Sequence, residues 1–287
     1  MKEVLLFFSA VLLMYSCALK TEITSRNLEI SYDPLEDYES FFFLEEDTLT
    51  SKDTVYIGQI RTNNTGSASN CTFEKAKALI ITEARKLGGN CFILTQHKEP
   101  NGLNSMCHIL SGRALRLKHP ELYEAEITWH PKRKLEIQNF KGPIENRPFQ
   151  AATYSFTRYK IENVKHFKKE YTLKVNSVFN CEMSYFKPSF KPDAVLSHEQ
   201  LHFDITELYT RKLRKLIKEN KWTYVELMEN LDSEAKKLWV DLALYQDLYD
   251  SEVYADHTKQ KLWTERIQNE LIELQDFEHP TIIIRYE

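Results

Sequence analysis

A chain of 287 residues has room for two domains, and 42% apolar with 28% charged residues is the composition of a globular protein rather than a disordered one. A formal net charge of −4 gives no basic field, so nucleic acid is not expected as a partner. With seven glycines and neither GxxxxGKS/T nor GxGxxG, glycine-rich phosphate loops are excluded.

Lys2 puts a positive charge near the start, and Val4 to Tyr15 is almost entirely apolar. That run is too short to span a bilayer and has the length of a signal-peptide core. It ends at Ser16-Cys17, where a small residue followed by Cys resembles the lipobox of bacterial lipoproteins. The resemblance implies a lipoprotein-type signal peptide over 1–17, lipidation of Cys17, and attachment to a membrane of the bacterial cell envelope. Ordinary cleavage near Ala18 is the alternative. Export permits disulfides. Cys71, Cys91, Cys107 and Cys181 allow three pairings, among which spacing does not choose. No CxxC occurs, so a cysteine zinc site is not expected.

Residues 18–50 are acidic and aromatic without a clear period, and Tyr38, Phe41, Phe42, Phe43 and Leu44 are expected to pack on the domain that follows. A small α/β domain over 18–118 is predicted from three elements and a helix. Val55-Tyr56-Ile57, Cys91 to Leu94 and Cys107 to Leu117 read as strands. Thr72 to Leu87 reads as a helix with Ala76, Ile80, Ala84 and Leu87 on one face, stopped by Gly88-Gly89. Ile57-Gly58, Gly66, Cys71, Ala84, Gly89-Asn90, Pro100 and Ser105…Cys107 resemble a small module of exported proteins and lipoproteins of Bacteroidota. The stretch is also similar to the outer-membrane stress-sensor lipoprotein of the Rcs system. Cys71 and Cys107 open neighbouring elements, so these two are paired, which leaves Cys91 as a buried odd thiol. Leu117 to Pro120 reads as the link to a second domain, 119–287.

The second domain begins near Ile127-Thr128-Trp129. Tyr171, Leu173, Val175, Phe179, Cys181, Met183 and Tyr185 alternate with polar residues and predict a strand or strand pair with one wet face. From Asp193, a candidate N-cap, the chain reads as helical to about Glu219. Trp222 to Asn230 reads as a short helix or turn. A long helix from Ser233 shows Leu238, Leu242, Tyr245 and Tyr249 on one face. Leu262, Trp263, Ile267, Leu271 and Leu274 continue a helical pattern, and Thr281 to Tyr286 reads as a strand.

Within the first of these helices lies His198-Glu199-Gln200-Leu201-His202, an HExxH motif. Four residues are just over one helical turn, so the two imidazoles share a face about 6 Å apart along the axis, within reach of a single zinc ion. Glu199 points to one side of that pair, where it can take a proton from a metal-bound water. Leu201, Ile205 and Leu208 form a core-facing stripe behind the motif. Asp204 and Glu207 are candidates to orient the histidines, and Tyr249 or Tyr209 to polarise a carbonyl.

The order Ile127-Thr128-Trp129, Arg133-Lys134-Leu135, Phe140 to Pro143, Ala151-Ala152-Thr153 and then His198 to Glu207 resembles the bacterial domain-of-unknown-function family number 922, exported and predicted zinc peptidases with an HEQxHFDITE helix. Tyr249-Asp250 and Gln260…Trp263 match that family's later segment, and the likeness covers about residues 120–275. It implies a zincin-like domain: a β-sheet with a helical C-terminal half carrying HExxH, so that the whole chain is α+β. A catalytic zinc commonly keeps three protein ligands. His257, Glu252, Asp250 and Asp256 are the candidates for the third. His257 is favoured, because neutral imidazole is a good ligand, the family pattern has a His nearby, and on an unbroken helix His257 follows Tyr249 and Val253 at steps of four. The expected function is an exported, Zn2+-dependent peptidase acting on a peptide or protein substrate, with metal ligands His198, His202 and His257 and catalytic Glu199. The segment 171–185 is expected to border the cleft as an edge strand. The alternative is a non-catalytic envelope lipoprotein acting as a binding or assembly module.

Overall fold

The computed structural model describes residues 19–26, 31–45, 49, 53–64, 71–102, 105–188 and 190–286. Cys17 and the apolar run before it lie outside the described residues. The protein is α+β, and it divides into two compact units, Met1–Pro120 and Glu121–Glu287.

The first unit is a five-stranded sheet with one helix. Its strands are β1 (Thr21–Arg26), β2 (Phe42–Leu44), β3 (Thr54–Thr62), β4 (Cys91–Lys98) and β5 (Ile109–Leu117), in the order β1-β3-β5-β4-β2. Neighbours are antiparallel except β2 and β4. Helix α1 (Phe73–Lys86) is capped by the Thr72 hydroxyl on Lys75 N–H and buries Ala76, Ile80 and Ala84. That stripe packs against Ile57, Ile60, Phe92, Leu110 and Ala114 on one face of the sheet. Phe43 joins this core, while Phe42 and Leu44 cover Cys91, Ile93 and Leu115 on the other face. The aromatic cluster thus packs on its own domain as expected, because alternate residues of β2 face opposite sides. Gly88 ends the helix at φ +79, where a Cβ would stand 2.4 Å from that of Tyr32. Strand β1 has no counterpart in the sequence reading. Its described side chains are mostly exposed, so no apolar alternation marks it. Cys71 and Cys107 form a disulfide, and Cys91 and Cys181 are buried.

The second unit combines three α-helices with a sheet of β6 (Glu126–Thr128), β8 (Ser155–Lys165), β9 (Glu170–Asn180) and β11 (Thr281–Arg285), and a two-stranded piece of β7 (Ala151–Ala152) and β10 (Tyr185–Phe186). Strand β9 pairs with β8 along its length, with β11 at its start and with β6 at its end. It is therefore interior to the sheet and has no free edge for a substrate backbone, which corrects the expectation for 171–185. The predicted face also breaks after Asn180. The Asn180 side chain accepts from Glu182 and Met183 N–H, an Asx turn that ends the strand and leaves Met183 exposed.

Helix α2 (Pro192–Asn220) crosses the unit's centre. Pro192 rather than Asp193 opens it, and Asp193 sits in the first turn, where its charge complements the helix dipole. Leu213 and Ile217 bury against Tyr171, Leu173 and Val175 of the sheet. Leu201, Ile205 and Leu208 bury against α3 (Tyr224–Ala255) and α4 (Lys259–Glu273) through Leu242, Tyr249, Trp263 and Ile267. Helix α3 is continuous where two pieces were predicted. A capping box of Thr223 and Glu226 starts it. Asn230 and Ser233, at the ends of those two pieces, turn their side chains back to the carbonyls of Glu226 and Asn230, while Leu231 is buried.

Candidate metal centre

Three side chains converge where α2 meets the C-terminal half of α3. His198 Nε2 and His202 Nε2 stand 3.2 Å apart, and Asp250 Oδ1 lies 3.0 Å from each. Atoms bonded to one tetrahedral zinc at about 2.0–2.1 Å stand roughly 3.3 Å from one another, so the spacing fits that ion. Asp250 Oδ1 is buried, with the two ring nitrogens as its polar neighbours. A buried carboxylate oxygen needs a matching charge, and a protonated ring or a cation among the three atoms would supply it.

Asp250 stands where His257 was expected. Helix α3 ends at Ala255, and Asp256 takes an extended backbone, its carboxylate accepting from the N–H and hydroxyl of Thr258. This Asx turn breaks the helix before α4, so the register that would carry His257 inward stops short and its side chain is exposed. His257 is not in the cluster. Asp250 was one of the alternatives, and its signal is Gln246, one turn earlier on the same face, which donates to the His202 carbonyl and the Thr206 hydroxyl. Glu252 is drawn elsewhere, accepting from Trp263 Nε1.

Burial opposes the charge on Asp250, but His198 and His202 outweigh it and hold the carboxyl well below the usual carboxylate range. Glu199 is 3% exposed, and its Oε2 is buried without a partner. Burial raises its pKa, with the nearby His202 and His198 pulling the other way. The result is a carboxylate kept near the centre and made more basic than in water, as a proton acceptor requires. A ladder of hydroxyls fixes this part of α2 on the sheet. Thr153 donates to the Glu199 carbonyl, Ser155 pairs with Thr206, and Thr157 pairs with Thr210.

Neither predicted orienting carboxylate is in the centre. Asp204 accepts from Trp129 Nε1 and Gln200 Nε2. Glu207 is buried between Arg211 and Arg214, and Arg214 in turn donates to the Val175 carbonyl, tying α2 to β9. Tyr209 is also elsewhere, packed on Tyr245. The group beside His198 is Tyr249, whose hydroxyl is 2.9 Å from His198 Nδ1 and donates to Gln260 Oε1 at 2.7 Å. Tyr254, absent from the sequence reading, lies 5.4 Å ring to ring from His198 and is exposed. Partial desolvation of its phenol, with the charges of Asp250 and Glu199, pushes it up to about 12.

No family model, curated protein or solved structure matches the chain.

Proposed function

We propose that the protein is a zinc-dependent peptidase of the bacterial cell envelope, with His198, His202 and Asp250 as metal ligands and Glu199 as general base. One observation carries this reading: three ligand atoms converge at zinc spacing beside a buried carboxylate that has an unmatched oxygen. A closed structural site has no use for Glu199, whereas hydrolysis needs a base at that place. Bound there, zinc supplies Lewis acidity, lowering the pKa of a water to about 7 and polarising a peptide carbonyl. Glu199 takes the proton released on attack and returns it to the leaving amine, a role its raised pKa favours. Tyr249, which already donates to Gln260, is a positioning group and not a carbonyl polariser. Exposed Tyr254 is the phenol placed to meet a substrate. The substrate class is a peptide or protein, and the membrane attachment read from Cys17 belongs to the same proposal.

The test is zinc content and peptide hydrolysis of the full-length parent, Asp250→Ala and His257→Ala. One zinc per chain and hydrolysis are expected for the parent and His257→Ala, with both lost in Asp250→Ala. A parent that binds no zinc, or binds it and hydrolyses nothing in a broad peptide mixture, leaves the non-catalytic envelope module as the reading.

A further inference from the structure

We propose that Tyr249 and Gln260 hold a proton on Nδ1 of His198, and thereby make Nε2, which faces His202 and Asp250, the nitrogen left to bind a metal. The inference rests on the zinc reading above, but it concerns a property of the metal-free chain.

The place of the proton follows from hydrogen-bond direction. The amide oxygen of Gln260 can only accept. It lies 2.7 Å from the Tyr249 hydroxyl, so the single phenolic proton is given to it; the His198 carbonyl, at 3.4 Å, is the poorer acceptor. The Tyr249 oxygen is then left to accept from His198 Nδ1 at 2.9 Å. Nδ1 must therefore carry the ring proton. In a neutral imidazole the other nitrogen has the lone pair, and here that nitrogen, Nε2, is the one beside His202 Nε2 and Asp250 Oδ1. Turning the Gln260 amide around would reverse every step. Its NH2 would donate to the phenol oxygen, the phenol would donate to Nδ1, and the proton would be forced onto Nε2, inside the centre.

The surroundings hold the relay in place. Gln260 is in the first turn of α4, and Trp263, one turn on, packs on the Tyr249 ring and donates to Glu252 of α3. The Tyr249 ring stacks on His198 at 4.7 Å between centroids. The Gln260 NH2 is buried with no partner. The fold thus leaves a donor unmatched while aiming the acceptor end at Tyr249. Metal-binding histidines usually have their second nitrogen fixed by a carboxylate or carbonyl. Here a phenol is interposed, so the amide acts on the ring at one remove, and both groups are positioning residues.

The experiment uses the full-length, metal-free protein carrying 15N-histidine, with the His198 tautomer read from long-range proton–nitrogen correlations and zinc affinity measured by competition with a chelator. The parent is expected to show the proton on Nδ1. Tyr249→Phe and Gln260→Leu should lose that preference and bind zinc about 10–100-fold more weakly. Gln260→Glu, which can only accept from the phenol, should keep the parental tautomer and stay within a few-fold of parental affinity. A parental ring protonated on Nε2 alone, or a Gln260→Leu protein with unchanged tautomer and affinity, overturns the relay. If Tyr249→Phe fails to fold, the Gln260 pair decides. A parent with the proton on Nδ1 that binds no zinc discards the zinc reading and leaves the relay standing. Zinc binding with an apo ring protonated on Nε2 alone does the reverse.

Discussion

Glu199 and His202 are neighbours in the motif with separable tasks, and substitution can tell them apart. Glu199 is not among the three converging ligand groups, so Glu199→Gln, nearly equal in shape, should keep one zinc per chain while hydrolysis falls by about 10²–10⁴-fold. His202→Ala should lose metal and activity together. Hydrolysis by Glu199→Gln at the parental rate would remove the general base from the mechanism. The motif itself was legible because its chemistry lies in residue types at a fixed helical step. The third converging group was less so. Asp250 and His257 are seven residues apart, and only the break at Asp256 settles which of them stays on the inward face. That break is a side-chain turn to Thr258, a local hydrogen bond that competes with helix and leaves no trace in the apolar pattern.

At the scale of elements, apolar periodicity found the helices that bury one face, α1 through Ala76, Ile80 and Ala84 and α2 through Leu201, Ile205 and Leu208. It missed β1 and β8 and split α3, because strands with few buried side chains show no apolar alternation and a polar helical turn looks like a loop. The sheet of the second unit has a further device outside that pattern. Glu170 opens β9 and accepts from Lys165, the last residue of β8, and from Arg285, the last of β11, so one carboxylate clips three strand ends. Lys165 and Arg285 hold its pKa down at about 2, against an ordinary 4.5. The unfolded chain therefore takes up this proton more readily than the folded one. The clip's contribution to stability is fully present above the unfolded value, about 4.5, and is lost as pH falls toward about 2. In urea unfolding, Glu170→Gln should be less stable than the parent near neutral pH, and the gap should narrow between about pH 5 and 3. A gap that does not change with pH over that range would show that the ion pairs contribute nothing.

At the scale of the whole molecule, the proposed export and the disulfide belong together, because an oxidising compartment is what lets such a bond persist. The disulfide of Cys71 and Cys107 spans a sequence separation of 36. Closing a loop of that size stabilises a fold by about 3–4 kcal/mol, provided the compartment is oxidising. Among the described residues no helix is long and apolar enough to cross a membrane, and the proposed attachment is by lipid at Cys17. One acyl chain holds a protein to a bilayer only marginally, whereas two suffice for stable attachment. A diacylated Cys17 would therefore put the whole pool of protein in the membrane fraction, with both units carried outside the cytoplasm. Cys17→Ser should shift it to the soluble part of the envelope while Cys71 and Cys107 still oxidise and zinc content is unchanged, since the disulfide and the proposed centre form from residues far along the chain. Metabolic labelling with a fatty acid should mark the parent and not the variant. A variant that stays with the membrane, or a parent that takes up no label, would rule out the lipid anchor and leave ordinary cleavage near Ala18 as the reading of the leader.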